Sequence, residues 1–596
     1  MSGIAGIFYT DDKPVERVHL ADMLGELAHR GPDAQSIWCQ GSVGLGCCVL
    51  RTTTGSFSEQ IPQDCEQSGL ALTADARIDN RSELIDTLAI DDQHAADSEL
   101  ILRAYQRWGE ACTQRLLGDF SFAIWDQQRQ RLFCARDHLG IKPLYYHQAP
   151  GMFAFASEIK ALLALAVVPR RLNEVRLADY LAGFLDDHSV TFYEDILRLP
   201  AAHSASINRK GMSLWRYWIL DPHRTLQHQG DRAYAEAFAE ILTQAVDCRL
   251  RRADPVGFEL SGGLDSSSIL CTAQQLLTGQ PLNTFSVVFD QAPGAVEHKY
   301  IKAVHRGGGR FQPRYVYYDR EPPLAQLDHI LRHHDEPVSL PNIHWGVYRA
   351  ASNQGIRVLL DGIDGDTVLW HGLDGLTDLI RAAAWSLSLG EIRGWCRRLF
   401  CGGRRPVADH QVINSDFAHR IDLKTRLLAV TAEGCSSLPH WRLRHCRRLT
   451  SVGVTRALAQ VDATAAAFAL ELRHPFFDKR VLEMAVALPL DQRFQRGWTR
   501  VVLRRAMEEI LPAEIIHRQS KGYFGPNVVR GMHFFESGFL DNLILGGPRT
   551  VDQYVNMALI RELYARSKSS DRLSDTALVW DVASLGLWLE GAGIGG

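Results

Sequence analysis

The stretch Phe258–Leu270, FELSGGLDSSSIL, confines this chain more than any other segment. An apolar run ends at Leu260, two glycines follow, and a helix is expected to begin near Asp265 or Ser266. Gly262 and Gly263 permit a tight turn and let the backbone approach an anion closely. The helix then aims its unpaired N–H groups at that anion, and the hydroxyls of Ser261, Ser266 and Ser267 add donors. No lysine follows, so this is not the GxxxxGK[ST] loop that transfers a terminal phosphate. Asp265 inside the loop would repel a phosphate directly. It makes sense as a ligand of Mg²⁺, which would bridge it to the phosphates.

At 596 residues the chain exceeds what one core supports, so at least two domains are expected. The first 215 residues carry short apolar runs that read as strands, among them Ser121–Asp126, Arg131–Asp137 and Met152–Ser157. Asp97–Gly109 reads as an amphipathic helix capped by Asp97. This part predicts a mixed α/β sandwich. Polarity rises over Asp221–Arg232, and residues 216–232 are expected to be the linker. From residue 233 on, helices alternate with strand-like runs at Thr284–Phe289, Pro313–Tyr318 and Ile356–Gly362, a pattern that predicts a doubly wound parallel sheet. Beyond residue 375 the chain reads mostly helical, with an insert at about 375–460.

Composition excludes some classes. A net charge of −4 argues against wholesale nucleic-acid binding. No run of about 18 apolar residues exists, so no membrane span is expected. The start MSGIAGIFYTDDKP has neither the basic region nor the apolar core of a signal peptide. The twelve cysteines show no CxxC and no zinc spacing. Reduced thiols in a cytoplasmic protein are expected.

Two further segments belong with the phosphate loop. VLLDGIDGDTVLWHG, Val358–Gly372, places Asp361, Asp364 and Asp366 in a loop after a strand, where they would lie beside the first loop. Carboxylates from the two loops, Asp265 and Asp366, could share Mg²⁺. In LPAEIIHRQSKGYFGP, Lys521 lies between turn formers and could neutralise an oxyanion.

Together these segments resemble the asparagine synthetase family. SGGLDSS is similar to the signature of that family's adenylate-forming, pyrophosphate-releasing ATP site. The strand holding Val287 looks like its adenine-side strand, and Asp361 with Gly362 falls on its second ATP loop. LELRHPFFDKRVLEMAVALP resembles its EARVPFLD segment; its Glu471 and Arg473, with Asp364 of the acidic loop and Tyr523 beside Lys521, are candidates for positioning substrate. Leu260 and Leu264 flank the phosphate loop, and Lys521 falls on the family's catalytic lysine. HRGPD, DSELILRAY, GDFSFAIWD and ARDHLGIKPLYY extend the resemblance through the N-terminal part. It implies an N-terminal-nucleophile αββα glutaminase-like domain over residues 1–215. It also implies an adenine-nucleotide α-hydrolase-like synthetase domain over 233–596, using ATP and Mg²⁺, with a helical C-terminal part.

The departures change the expected reaction. The family's glutaminase uses a cysteine at residue 2, and here stands Ser2. Its NGEIYN reads DARIDN, so Arg77 replaces the glutamate that would hold the substrate's amino group. An inactive glutaminase is expected, with Arg51 and Asp97 kept as structure. SGEGSDE has become DGIDGDT, with Ile363 in place of a glutamate. This profile resembles the lasso-peptide macrolactam cyclases. It implies a ribosomal precursor peptide as substrate, with a leader peptidase and a leader-recognition protein as partners. Residues 380–450 carry 13 Lys or Arg against five Asp or Glu, a docking face for such a partner or a solvated basic surface. Asparagine synthetase using free ammonia, a β-lactam-type synthetase and a catalytically inactive scaffold remain as alternatives.

Overall fold

The computed structural model describes residues 2–57, 59–65, 67–183, 187–251, 255–290, 297–320, 327–338, 344–369, 409–426, 441–519, 531, 533, 537–547, 549–569 and 573–593. The N-terminal part is a sandwich of two six-stranded sheets. One has the order β10–β8–β9–β1–β3–β2, the other β12–β11–β7–β6–β5–β4. The strands are β1 (Gly3–Tyr9), β2 (Ala34–Gln40), β3 (Val43–Val49), β4 (Gln63–Cys65), β5 (Leu70–Ile78), β6 (Gly118–Asp126), β7 (Arg131–Arg136), β8 (Tyr145–Ala149), β9 (Met152–Ala156), β10 (Leu197–Arg198), β11 (His203–Asn208) and β12 (Gly211–Arg216). Ile4, Phe8, Leu45, Trp125, Leu132 and Phe155 fill the space between the sheets. Helix α1 (Arg17–Leu27) covers the first sheet, while α2 (Arg81–Leu88) and α3 (Asp97–Trp108) go with the second. The strand readings in this half fall on β6, β7 and β9. Asp97 is a correction: it lies in the first turn of α3, not at its cap. Its carboxylate is taken by Arg81 and by Arg251, the latter at 2.5 Å.

The second sheet system has five strands, all parallel, ordered β15–β14–β13–β16–β17. They are β13 (Val256–Glu259), β14 (Leu282–Val288), β15 (Phe311–Tyr317), β16 (Val358–Leu360) and β17 (Glu471–Arg473). From β13 the chain first winds out to β15, then returns to β16 on the other side. The order reverses between β13 and β16, and the carboxyl edge at such a reversal opens a crevice. Helix α4 (Gly230–Arg249) precedes the sheet, so the segment expected as linker up to residue 232 is already helical at its end. Helices α5 (Leu264–Leu276), α6 (His344–Ser352), α7 (Gly365–Val368), α8 (Val452–Ala466) and α9 (Leu573–Gly591) complete the frame used below. Within the expected insert, residues 370–408 and 427–440 lie outside the described residues.

The two parts share one core and a set of buried ion pairs. Leu20, Met23 and Leu24 of α1 belong to the same apolar cluster as Trp580, Leu585 and Trp588 of α9. Arg30, fully buried, reaches Glu158 at 2.6 Å and Asp462 of α8 at 2.5 Å. Among the described residues no helix is long and apolar enough to cross a membrane. The nine described cysteines are free thiols.

Candidate active site

The phosphate loop connects β13 to α5 on one side of the crevice. Gly262 has φ +66, and a Cβ there would fall 2.7 Å from the Ile301 backbone N, so only glycine fits this turn. Ser261 and Ser266 tie the loop together: their hydroxyls are 3.0 Å apart, and the Ser261 N–H donates to Ser266 Oγ at 3.1 Å. The Ser267 hydroxyl is buried and has no hydrogen-bond partner among the described residues, an orphaned donor inside the loop. Leu260 and Leu264 are buried beneath the loop, and Val287 lies buried on the neighbouring β14. The loop is braced from outside by Arg518. Its Nη1 donates to the Gly262 carbonyl at 2.8 Å, and its guanidinium lies 3.9 Å from the Tyr300 ring centre.

The acidic loop after β16 lies directly against this loop. A Cβ on Gly362 would fall 2.5 Å from the Ser266 N, and one on Gly365 would fall 2.8 Å from the Asp265 Cγ. The two glycines therefore bring the loops into backbone contact at the crevice. Asp366, buried in the first turn of α7, follows the residue that touches Asp265. Asp364 has φ 55 and accepts a hydrogen bond from the Thr367 hydroxyl at 3.3 Å. Asp361 is buried and pairs with His474, whose Nδ1 lies 2.8 Å from its Oδ2. Burial disfavours the charged His474, yet the attraction and hydrogen bond of Asp361 outweigh it and raise the imidazole above its ordinary value.

Arg500 was not singled out in the sequence and stands at the centre of the site. Its Nη1 donates to both oxygens of Asp265 at 2.6 Å. The residue has φ 54, a left-handed conformation that bulky side chains rarely adopt. No spacing rule marks Arg500, because it comes from a segment some 235 residues away. Glu471 and Arg473, expected to position substrate, form β17. Both are buried: Arg473 Nε holds Glu471 at 2.7 Å and its Nη1 donates to the carbonyls of Arg249 and Arg251. Glu471 also accepts from the Thr52 hydroxyl of the sandwich at 2.7 Å. Any part they take in positioning substrate passes through this frame. Lys521 and Tyr523 lie outside the described residues.

The donor set fits a magnesium nucleotide. Two glycines open a cradle, Ser267 Oγ lacks a partner among the described residues, and two carboxylates from adjoining loops are oxygen ligands of the kind Mg²⁺ prefers. The family model described as asparagine synthase matches residues 237–590.

The chain belongs to the asparagine synthase family.

A second family model, glutamine amidotransferase domain, matches residues 1–218. The chain is 25% identical over 568 residues to asparagine synthetase [glutamine-hydrolyzing] 3 of Bacillus subtilis, covering 88% of this chain and 87% of that one. It is 24% identical over 624 residues to asparagine synthetase [glutamine-hydrolyzing] 1 of the same organism, covering 99% and 96%. A putative asparagine synthetase of Mycobacterium bovis is 29% identical over 572 residues, covering 86% and 84%. Asparagine synthase family members are ATP-dependent amide ligases, typically with Mg²⁺. This chain is an asparagine synthetase-like ligase with an N-terminal-nucleophile-type domain ahead of a parallel-sheet domain.

Ser2 is buried, its N–H donates to Asp75 Oδ1 at 3.0 Å, and its Oγ accepts from the Leu50 N–H at 3.2 Å. Lys142 stands 3.4 Å from the same Asp75 oxygen. Arg77 is locked between Asp79 at 2.9 Å and Asp119 at 2.7 Å. Burial opposes its charge, but the two carboxylates hold the guanidinium protonated well above the ordinary arginine range. Arg51 donates its N–H to Asp33 at 2.7 Å, and Asp33 also pairs with Arg357 across the domain boundary.

Proposed function

We propose that the chain forms a macrolactam within a ribosomally made precursor peptide. In that reaction an Asp or Glu side chain attacks the α-phosphorus of ATP and pyrophosphate leaves. The peptide's own N-terminal amine then attacks the acyl-adenylate and AMP leaves. The observation that carries the reading is Arg77, buried between Asp79 and Asp119 at the place where the family's glutaminase holds a glutamate. An arginine at residue 77 offers no carboxylate to hold the amino group of glutamine, so the amine is expected from elsewhere.

The chain's own groups divide the work. The N–H groups and hydroxyls of Ser261–Ser267 receive the departing pyrophosphate. Arg500 and Arg518 supply positive charge beside the loop. Asp265 and Asp366 would hold Mg²⁺, which neutralises phosphate charge when bound. Lys521 supplies a point charge for the carbonyl oxygen as the amine adds. Holding amine and carbonyl in one folded peptide can remove roughly 7–11 kcal/mol of barrier. A leader peptidase and a leader-recognition protein would deliver that peptide.

A second reading, synthesis of asparagine from free ammonia, is favoured by the names of the relatives. Carboxylate-dependent ATP–pyrophosphate exchange separates the two. The probes are free aspartate and a peptide set with a free N-terminal amine and one Asp or Glu at varied distance. Exchange with peptides alone, and a product lighter by one water, supports the macrolactam. Exchange with aspartate and formation of asparagine from ammonium supports the second reading.

A further inference from the structure

We infer that Glu259 and His344 form the base that takes the proton from the attacking amine. The inference rests on the amide-ligase reading and names a pair of residues not used above. Glu259 ends β13, two residues before Ser261, and is only partly buried. His344 opens α6, with its Nδ1 3.0 Å from one Glu259 oxygen and 3.3 Å from the other. The pair therefore lies at the carboxyl edge of the sheet, on the strand that feeds the phosphate loop.

Its surroundings suit a base. Asp361 at the end of β16 acts on His344 through charge, and Asp361 itself is held by His474, which follows β17. One turn along α6, the Tyr348 ring stacks on His344 with centroids 5.6 Å apart. The Tyr348 hydroxyl is buried and has no hydrogen-bond partner among the described residues. Burial and the charges of Glu259, Asp361 and Asp462 push its pKa well above the ordinary tyrosine value, so it stays a neutral phenol. Among the described residues, Glu259 and Asp361 act on His344 by charge and Tyr348 stacks on it. Burial disfavours its charged form, but Glu259 and Asp361 outweigh burial and raise it above its ordinary value.

The chemistry needs such a group. The family's glutamate in the acidic loop is Ile363 here, which offers no proton acceptor. The amine nitrogen forms a bond to the acyl carbon, the bond from that carbon to the phosphate oxygen breaks with its electrons on AMP, and one N–H proton must leave. With Nδ1–H donated to Glu259, the basic lone pair is on Nε2, which accepts that proton and passes it to solvent. Glu259 fixes the tautomer and steadies the imidazolium, as a carboxylate does for a catalytic histidine elsewhere.

The test follows both half-reactions in His344→Gln and Glu259→Gln. Pyrophosphate exchange measures adenylation. Amide formation is followed with an ordinary amine and with hydroxylamine, whose weakly basic nitrogen is largely unprotonated at neutral pH and gives its proton to water once it has added. In His344→Gln, amide formation from the ordinary amine is expected to fall by about 10²–10⁴. Exchange and hydroxamate formation should stay near the parent. In Glu259→Gln the acidic limb of the amide-forming pH profile moves to lower pH. Amide formation at the parent rate in His344→Gln overturns the inference. So does an equal fall of exchange, hydroxamate and amide, which marks a structural role. If the parent itself shows no exchange with any carboxylate, the amide-ligase reading fails and takes this inference with it.

Discussion

Arg500 Nη1 donates to both carboxylate oxygens of Asp265 at 2.6 Å, joining a helix of the C-terminal part to the phosphate loop. The pair keeps a buried carboxylate neutralised at the place where a metal and phosphates would gather. A partner that can exchange between Asp265 and incoming phosphate costs little to redirect, because both states are charge-paired. Asp265→Asn is therefore expected to abolish exchange while the fold persists. Arg500→Ala should reduce it about 10²–10³-fold, the usual loss for one charge-stabilising donor. Exchange and circular dichroism check both variants, and parent-level exchange in either removes that residue from the site.

The buried Arg77 leads to two expectations. Arg77→Ala removes the nearest partner of the buried Asp79 and Asp119 and leaves them Arg249 at 3.7 Å from each, a loss of about 3 kcal/mol. A lowered urea midpoint with an unchanged slope would register it. Ser2→Cys alone should not create a glutaminase, because residue 77 still offers no carboxylate to hold the amino group of glutamine. Glutamate release above background from that variant would contradict the pocket described here.

Stability should respond to His334 in acid. The ring is buried against the Thr464 hydroxyl at 3.0 Å, and burial brings it down from an ordinary 6.5 to about 4. A depressed folded value gives stability that is present above pH 6.5 and is lost as pH falls through 4, at most about 3 kcal/mol for this shift. The next residue, Asp335, is pushed by burial to about 6 and acts in the opposite sense. Its protonated form favours folding as pH drops below 6, so the two offset each other in the parent. His334→Gln keeps a hydrogen-bonding side chain and removes the titration. Its unfolding free energy should improve relative to the parent between pH 6.5 and 4. A constant difference across that window would contradict the assignment.

Lys521→Ala is expected to slow amide formation by at least about 10², and Lys521→Arg to rescue little, because a planar fork cannot replace a point charge. Single-turnover mass spectrometry, following adenylate and amide separately, checks this. Amide formation at the parent rate would make Lys521 a surface residue.

Much of the frame was legible because local patterns decide it. Gly262 and Gly263 after an apolar run could only be a turn feeding a helix, and β14–β16 follow apolar runs bounded by polar residues. The αββα sandwich followed by a parallel sheet matches the expectation. What sequence did not mark depends on contacts across hundreds of residues. Nothing near Arg500 announces Asp265, and nothing near Glu259 announces His344. The partners of Glu471 and Arg473 could not be read locally either: Thr52, Arg249 and Arg251 come from distant segments. Asp97 read as a cap because it opens a helix, but two arginines compete for its carboxylate and win.

The source of the amine tests the central claim most directly. The purified chain is given ATP, Mg²⁺, aspartate, glutamine labelled with ¹⁵N in its amide, and the peptide set with free N-terminal amines and one acidic side chain. The account predicts a peptide lighter by one water, one AMP per ring, and no ¹⁵N in any product. Asparagine carrying ¹⁵N from glutamine, with the peptides unchanged, would contradict it.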